Sequence, residues 1–225
     1  MRRAVERELM DDPVDSLAEL ERNLADIEFA NARFGGIGPV LREVRRAGAR
    51  TVLDVGCGSA DIPLAVARDG ERRGADVQVT ALDRSEQMLA IARRRTLGHP
   101  RLRFVSGEGT ALPFGDGQFD VVTCNLALHH FEPDAACRLL AEMRRVARVT
   151  PLICDLRRAR AAYAVVLLWS RLSTRNRLTR HDAPLSVLRA YTPAEALALA
   201  RAAGWRAPRA RRERFFRMTL RDAAA

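Results

Sequence analysis

The chain contains no lysine. All 38 basic residues are arginine, set against 28 acids, for a net charge of +10 over 225 residues. A preference that uniform reads as a bias of the coding sequence and not as selection at one surface, although the charge still attracts nucleic acid, anionic lipid or acidic ligands. Aromatic residues make up only 5%. The arginine clusters at 93–95 and 209–214 therefore lack the stacking partners that single-stranded nucleic acid wants, which argues against that partner. The four cysteines, Cys57, Cys124, Cys137 and Cys154, include no C-x-x-C pair. A cysteine zinc site lacks its spacing, no metal is expected, and buried free thiols are the ordinary reading. The longest uncharged apolar run, 161–169, falls well short of the roughly 20 residues that span a bilayer. The first dozen residues, MRRAVERELMDD, are charged throughout, without the apolar centre of a secretory leader. A soluble, cytoplasmic chain is expected, with monomer and homodimer both open.

What is present is a rhythm. Leu17, Leu20, Leu24 and Ile27 recur at helical spacing, which predicts an amphipathic helix over 14–30. Gly35, Gly36 and Gly38 interrupt it, and Pro39 suits the first turn of a second helix running to about Ala47. From Thr51 strands and helices alternate: strand 51–55, helix 60–69, strand 77–82, helix 85–95, strand 102–105, strand 119–124, helix 133–147, strand 149–154. The strands are nearly continuous apolar runs, as expected for burial on both faces. The pattern predicts an α/β, Rossmann-like, doubly wound and mostly parallel sheet of seven strands.

Residues 157–190 break the rhythm, with a helix over 157–171 and then an arginine-rich turn followed by "RHDAPLS". Thr192-Pro193-Ala194-Glu195 starts another helix that Gly204 ends, and 205–212 and 214–220 are candidate closing strands. One domain is expected over 1–225. It comprises an N-terminal helical cap (14–48), a cofactor-binding core (51–155), an acceptor lid inserted after the fifth strand (157–190), and a C-terminal helix with closing strands (191–220).

The stretch "TVLDVGCGSADIP" contains G-x-G, yet it carries Asp54 before the glycines and Asp61 where a dinucleotide fingerprint wants Gly or Ala. A pyrophosphate there would face two carboxylates, whereas an ammonium or sulfonium group would be favoured. Asp83 ends the second strand, 25 positions after Gly58, where it can accept hydrogen bonds from both hydroxyls of a ribose. Glu108, just past the third strand, can meet the exocyclic amine of an adenine. A nucleoside bearing ammonium, carboxylate and sulfonium but no phosphate satisfies these features, and S-adenosylmethionine is that molecule. Each residue also has an ordinary structural alternative. Asp54 can orient the turn, Asp83 can cap the helix near Ser85, Met88 can pack its helix, and Glu108 can be a solvated loop acid.

The motifs "VLDVGCGSADIP", "ALDRSEQML", "GEGTALPFGDGQFDVV" and "CNLALHHF", in that order over 51–148, resemble those of class I S-adenosylmethionine-dependent methyltransferases. The likeness is to the small-molecule group related to quinone and polyketide methyltransferases. It implies that Asp54, Gly56, Cys57, Gly58, Asp83, Arg84, Met88, Glu108, Gly109 and Asn125 surround the cofactor. Three features depart from the family pattern: Glu where Asp is commoner at 108, Gly where a larger residue is usual at 109, and no lysine–proline–glycine turn before the fifth strand.

Methyl transfer to a phenol or an acidic carbon is helped by a base. His129 and His130 follow the fourth strand, where a parallel sheet presents ligands, and His181 has Asp182 as an orienting neighbour. Any of the three is a candidate base, and each can equally be structural. Asp155 can face the acceptor or cap a helix. Arg180 can hold a phenolate, and Tyr163 and Trp169, with Leu167 and Leu168, can line an apolar lid. The expected partner is a small aromatic, phenolic or quinone-like acceptor, methylated on oxygen or carbon. The competing readings are a nicotinamide-dependent oxidoreductase, a nucleic-acid methyltransferase, and a non-catalytic nucleoside-binding protein.

Overall fold

Two helices precede the sheet in the computed structural model, which describes residues 1–12 and 14–223. Helix α1 (Leu17–Arg33) starts where the Ser16 side chain accepts from the Glu19 N–H, and it buries Leu20 and Leu24. Helix α2 (Ile37–Arg46) holds Pro39 in its first turn, where a missing N–H costs no intrahelical bond.

Among the described residues seven strands form one sheet: β1 (Thr51–Val55), β2 (Gln78–Asp83), β3 (Leu102–Ser106), β4 (Phe119–Asn125), β5 (Ala147–Leu156), β6 (Pro208–Arg212) and β7 (Arg217–Asp222). Their order is β3-β2-β1-β4-β5-β7-β6. β1 to β5 are parallel, while β7 lies antiparallel between β5 and β6. The helices are α3 (Asp61–Arg72), α4 (Glu86–Arg95), α5 (Pro133–Val146), α6 (Arg160–Ser173), α7 (Arg177–Arg189) and α8 (Pro193–Ala202). The doubly wound, mostly parallel sheet that the alternation predicts is the one observed.

Side-chain alternation builds a core on each face. Leu53, Val122 and Ile153 join α5 and α8 on one side, while Val52, Val121 and Leu152 join α2 and α3 on the other. All seven residues of β4 are buried, which is why this strand reads as an unbroken apolar run. The winding direction reverses between β1 and β4, so their carboxyl ends open a crevice.

The segment expected to be a turn after α6 is instead α7, with Pro184 inside it. An interior proline costs a helix ~3 kcal/mol. Tertiary contacts offset that cost here. Asn176 caps the start, Leu178, Leu185 and Val187 are buried, and Asn23 donates to the Thr179 hydroxyl at 3.1 Å. Residues 1–12 also pack onto this helix: the Asp182 carboxylate accepts the N–H groups of Leu9 and Met10 at 2.8 and 3.1 Å.

Candidate functional site

The β1–α3 turn closes on β2. The N–H groups of Gly56 and Cys57 both donate to the Leu82 carbonyl, and the Gly58 N–H donates to Asp83 Oδ2 at 2.9 Å. Gly58 has φ +52°, and the space where its Cβ would stand is clear to 4 Å, so a ligand can lie directly on this backbone. The other Asp83 oxygen accepts the Ser85 N–H at 2.9 Å, while Ser85 itself caps α4. Asp83 is thus a clasp between turn and strand, and not the helix cap.

Asp54 pairs in register with Thr123 of β4. Its Oδ1 accepts the Thr123 hydroxyl at 2.6 Å and the Asn125 amide at 2.9 Å. Burial, followed by repulsion from Asp61 and Asp83, pushes Asp54 up to about 7 against those hydrogen bonds. Burial also raises Asp61 and Asp83. Burial of three carboxylates around one glycine turn disfavours their charged forms, and a cationic group placed among them would favour those forms. The Asn125 Oδ1 is buried without a hydrogen-bond partner, so it has an acceptor to spare for a ligand N–H or O–H. An ammonium-bearing nucleoside fits this donor and acceptor set, and a diphosphate does not.

Every residue assigned to the cofactor lines one cavity of about 1200 Å³. Met88 is buried in α4 against Leu20, Leu24 and Leu178 while touching the cavity. Cys57 packs on Ala81 and Leu89, and burial together with the neighbouring carboxylates holds its thiol well above its ordinary value. Arg84 is exposed and donates to the Asp11 carbonyl. Glu108 is exposed at the rim, whereas Gly109 is buried. A Cβ on Gly109 would come within 3.0 Å of Leu139 and Val55, which explains why a larger residue is absent there.

The acceptor side begins at Leu126, which adopts φ +49° after β4, and Phe215 and Phe216 hold φ +54° and +58° across the cavity. Left-handed backbone at bulky residues stores strain, and it concentrates at functional crevices. A 3₁₀ turn, Leu128–His130, then presents both histidines to the cavity. The His129 N–H and Nδ1 both meet Asp155, at 3.1 and 2.7 Å. Burial opposes ionisation of Asp155, but the His129 ring and backbone N–H groups outweigh it and hold the carboxyl below its usual range. His130 Nδ1 meets Asp11 Oδ1 at 2.6 Å, and Arg189 donates to Asp11 Oδ2 at 2.9 Å. Burial works against the Asp11 charge too, yet these partners hold Asp11 below the usual carboxylate range.

Several expected acceptor residues sit elsewhere. His181 lies outside the cavity lining, with its side chain 38% exposed and its ring on Asp182 Oδ1 at 2.7 Å. Successive helix residues turn by about 100°, so Asp182 faces inward where its neighbour faces out. Arg180 ties the α6–α7 connection through the carbonyls of Thr174 and Arg171. Tyr163 is half-buried off the lining; Val165, Val166 and Trp169 form the α6 wall, with Trp169 edge-on to Phe34. Asp155 does not line the cavity but holds His129.

Glu8 was not singled out by any motif. It is 1% exposed, accepts the Ser186 hydroxyl at 3.0 Å, and lies beside the Nε2 atoms of both imidazoles. Burial, opposed chiefly by His130, pushes its carboxyl up to about 7. Arg217 was missed as well. It is buried at the start of β7, donates to Asn31 at 2.9 Å and lines the cavity. Asn31 in turn donates to Asp61 at 2.9 Å, joining the two sides. The only local trace of Glu8 is the dense charge of MRRAVERELMDD; its burial depends on contacts with α7.

With the geometry in hand, residues 52–150 match the family model described as a methyltransferase domain. Over 94 residues the chain is 40% identical to a demethylmenaquinone methyltransferase of Staphylococcus epidermidis, a match covering 42% of this chain and 37% of that protein. The match spans 36% to 44% of the length of the curated relatives. Its fold is similar to that of a putative O-methyltransferase from Nostoc punctiforme, with a TM-score of 0.68 at 16% identity over 98% of this chain and 64% of that one. It is also similar to a SAM-dependent methyltransferase from Aquifex aeolicus, with a TM-score of 0.63 at 19% identity over 92% of this chain and 98% of that one. The resemblance to class I S-adenosylmethionine-dependent methyltransferases, drawn from the four motifs, is borne out by the family-model match over residues 52–150, and the Rossmann-like sheet is shared with the solved neighbours.

Proposed function

We propose that this chain is an enzyme that transfers the methyl group of S-adenosylmethionine to a small phenolic or quinone-like acceptor, on oxygen or carbon. The observation that carries the reading is the ring of Asp54, Asp61 and Asp83 around a glycine turn whose backbone is open to a ligand. When bound, S-adenosylmethionine supplies an electrophilic methyl group on a cationic sulfur. Toward it, Asp54 and Asp61 offer negative charge, the free Asn125 Oδ1 offers an acceptor, and Asp83 stands at the end of β2 for the ribose. The same carboxylates disfavour a nicotinamide dinucleotide, whose diphosphate would meet them.

On the other side of the cavity, Val165, Val166 and Trp169 of α6 make an apolar wall suited to an aromatic ring or hydrocarbon tail. The wall opposes a polar cluster, Glu8, His129 and His130, toward which a hydroxyl of that ring is directed and where its proton is given up. The name of the Staphylococcus relative, a demethylmenaquinone methyltransferase, agrees with an acceptor of the quinol class.

Two measurements test this. Equilibrium dialysis of the whole chain should show uptake of S-adenosylmethionine and S-adenosylhomocysteine and none of NADH. Transfer of labelled methyl from the cofactor should be detectable against a panel of alkylated phenols and quinols. Retention of NADH without either adenosyl ligand would overturn the assignment.

A further inference from the structure

We propose that Glu8, His129 and His130 form a binding site for one divalent transition-metal ion, zinc by preference, open to the cavity for an oxygen ligand. One donor atom from each residue lies within 4.8 Å of the other two, and all three residues line the cavity. His129 Nε2 stands 3.5 Å from Glu8 Oε1, and His130 Nε2 stands 3.8 Å from Glu8 Oε2. These separations are long for hydrogen bonds. They are close to the ~3.3 Å between donors of a tetrahedral ion whose bonds are about 2.0–2.1 Å long.

The surroundings are those a metal site requires. Each imidazole has its other nitrogen on a carboxylate: His129 Nδ1 on Asp155 at 2.7 Å and His130 Nδ1 on Asp11 at 2.6 Å. Carboxylate backing of this kind fixes which nitrogen carries the proton, turns the free Nε2 toward the ion and raises its basicity. Asp11 is itself anchored by Arg189, and Asp155 is entirely enclosed. The rings are thus held from behind, 4.4 Å apart and tilted by only 32°, with both Nε2 atoms beside one buried carboxylate.

Charge points the same way. Glu8, Asp11 and Asp155 bring three acidic groups to two imidazoles, and Arg189 is the cation paired directly with Asp11. With both imidazoles neutral, as metal ligation requires, the three carboxylates exceed the single Arg189 charge by two, which a dication between Glu8 and the rings balances. Two nitrogens and one carboxylate suit zinc, manganese, iron or cobalt; magnesium and calcium prefer oxygen donors throughout. Three protein ligands leave a position for a phenolate or quinol oxygen. That use of the ion rests on the function proposed above, whereas metal binding does not.

The experiment uses the full chain, stripped with EDTA, incubated with a small excess of ZnCl₂, desalted, and assayed for metal by mass spectrometry. Wild type should retain close to one zinc per chain. Glu8→Gln and His130→Ala, each checked for its fold by circular dichroism, should retain little. Asp155→Asn, which leaves all three ligands in place, should weaken zinc about 10- to 100-fold in competition with a chromogenic chelator. Cobalt in place of zinc should give visible d–d bands without a thiolate charge-transfer band, which separates this site from the cysteines. Folded wild type that retains no zinc overturns the proposal, as does equal retention by wild type and both ligand variants. Zinc retained by a chain that binds no adenosyl ligand would leave the metal site standing and remove the methyl-transfer reading.

Discussion

Gly58 and Asp83, joined by a hydrogen bond on the donor side of the cavity, are 25 residues apart in the chain. Leu9 and Asp182, joined on the acceptor side, are 173 apart. The donor side consists of the ends of neighbouring parallel strands and the turns that leave them. Each of its residues is placed by one strand–turn–helix unit. The acceptor side has no such unit: an N-terminal arm, the turn after β4, the inserted helices and the β6–β7 hairpin are brought together from across the chain. Side chains of one half therefore leave a local imprint in the sequence, and those of the other do not.

The largest expected effect falls on the donor clasp. Asp83→Ala removes the carboxylate that accepts both the Gly58 and Ser85 N–H groups. Bonds to a charged acceptor are worth about 1.5–3 kcal/mol each. Calorimetric affinity for S-adenosylhomocysteine should fall by about 100-fold or more, while zinc retention at the acceptor cluster stays unchanged. A loss below about threefold would mean that the clasp does not organise the donor half.

How much was legible follows this division. The succession of strands β1 to β5 along the chain, their burial on both faces and the residues of the glycine turn could all be read from apolar runs and turn chemistry. So could the pair at 129–130, because it directly follows a strand. Glu8 and Arg217 could not. A buried Glu has no periodic signature, and its neighbours in space are distant in sequence. His181 illustrates the converse. The dipeptide His181-Asp182 does pair as the sequence suggests, at 2.7 Å, but the imidazole lies off the cavity lining, and the acid also holds the arm. α7 itself was hidden by Pro184, whose local cost is outweighed by packing that only the fold reveals.

A second expected effect separates the halves by pH. Asp54, facing Asp61 from α3 and Asp83 from β2, titrates near 7 when folded against about 3.8 in the unfolded chain. A raised carboxyl pKa means that the folded state holds the extra proton in between. Its contribution is full below about 4 and is lost as pH climbs through about 7. Stability of the ligand-free chain should decline across that window, by on the order of 2–4 kcal/mol. Affinity for the cationic cofactor should rise between pH 6 and 8. Asp54→Asn should flatten both trends in denaturant titration and calorimetry; unchanged slopes would show that Asp54 is already ionised near pH 6.

A smaller effect is expected from releasing the arm. Asp182→Ala frees the Leu9 and Met10 N–H groups and with them the segment carrying Glu8. Acceptor KM should rise by about tenfold, the equivalent of 1.4 kcal/mol, with cofactor affinity within about twofold of wild type. Equal losses on both sides would show that the halves are coupled through the arm.

The smallest effect tests Gly109, a donor-side residue whose identity is set by packing. In Gly109→Ala the new methyl group meets Leu139 Cδ1 and Val55 Cγ1 at 3.0 Å, both in the core cluster that carries β1 and α5. Backbone strain is not involved, because φ at this glycine is not in the left-handed region. Two flexible methyl ends must each give by a few tenths of an ångström, so the cost sits at the lower end of overpacking, about 1 kcal/mol. That corresponds to a fall in Tm of roughly 2–4 °C for a chain of this size. The same displacement pushes on Val55, the last residue of β1 and the neighbour of Gly56, so affinity for S-adenosylhomocysteine should drop with stability. A variant that loses stability but binds the ligand as before would confine Gly109 to the core. A variant that binds less well at unchanged Tm would place it against the adenine.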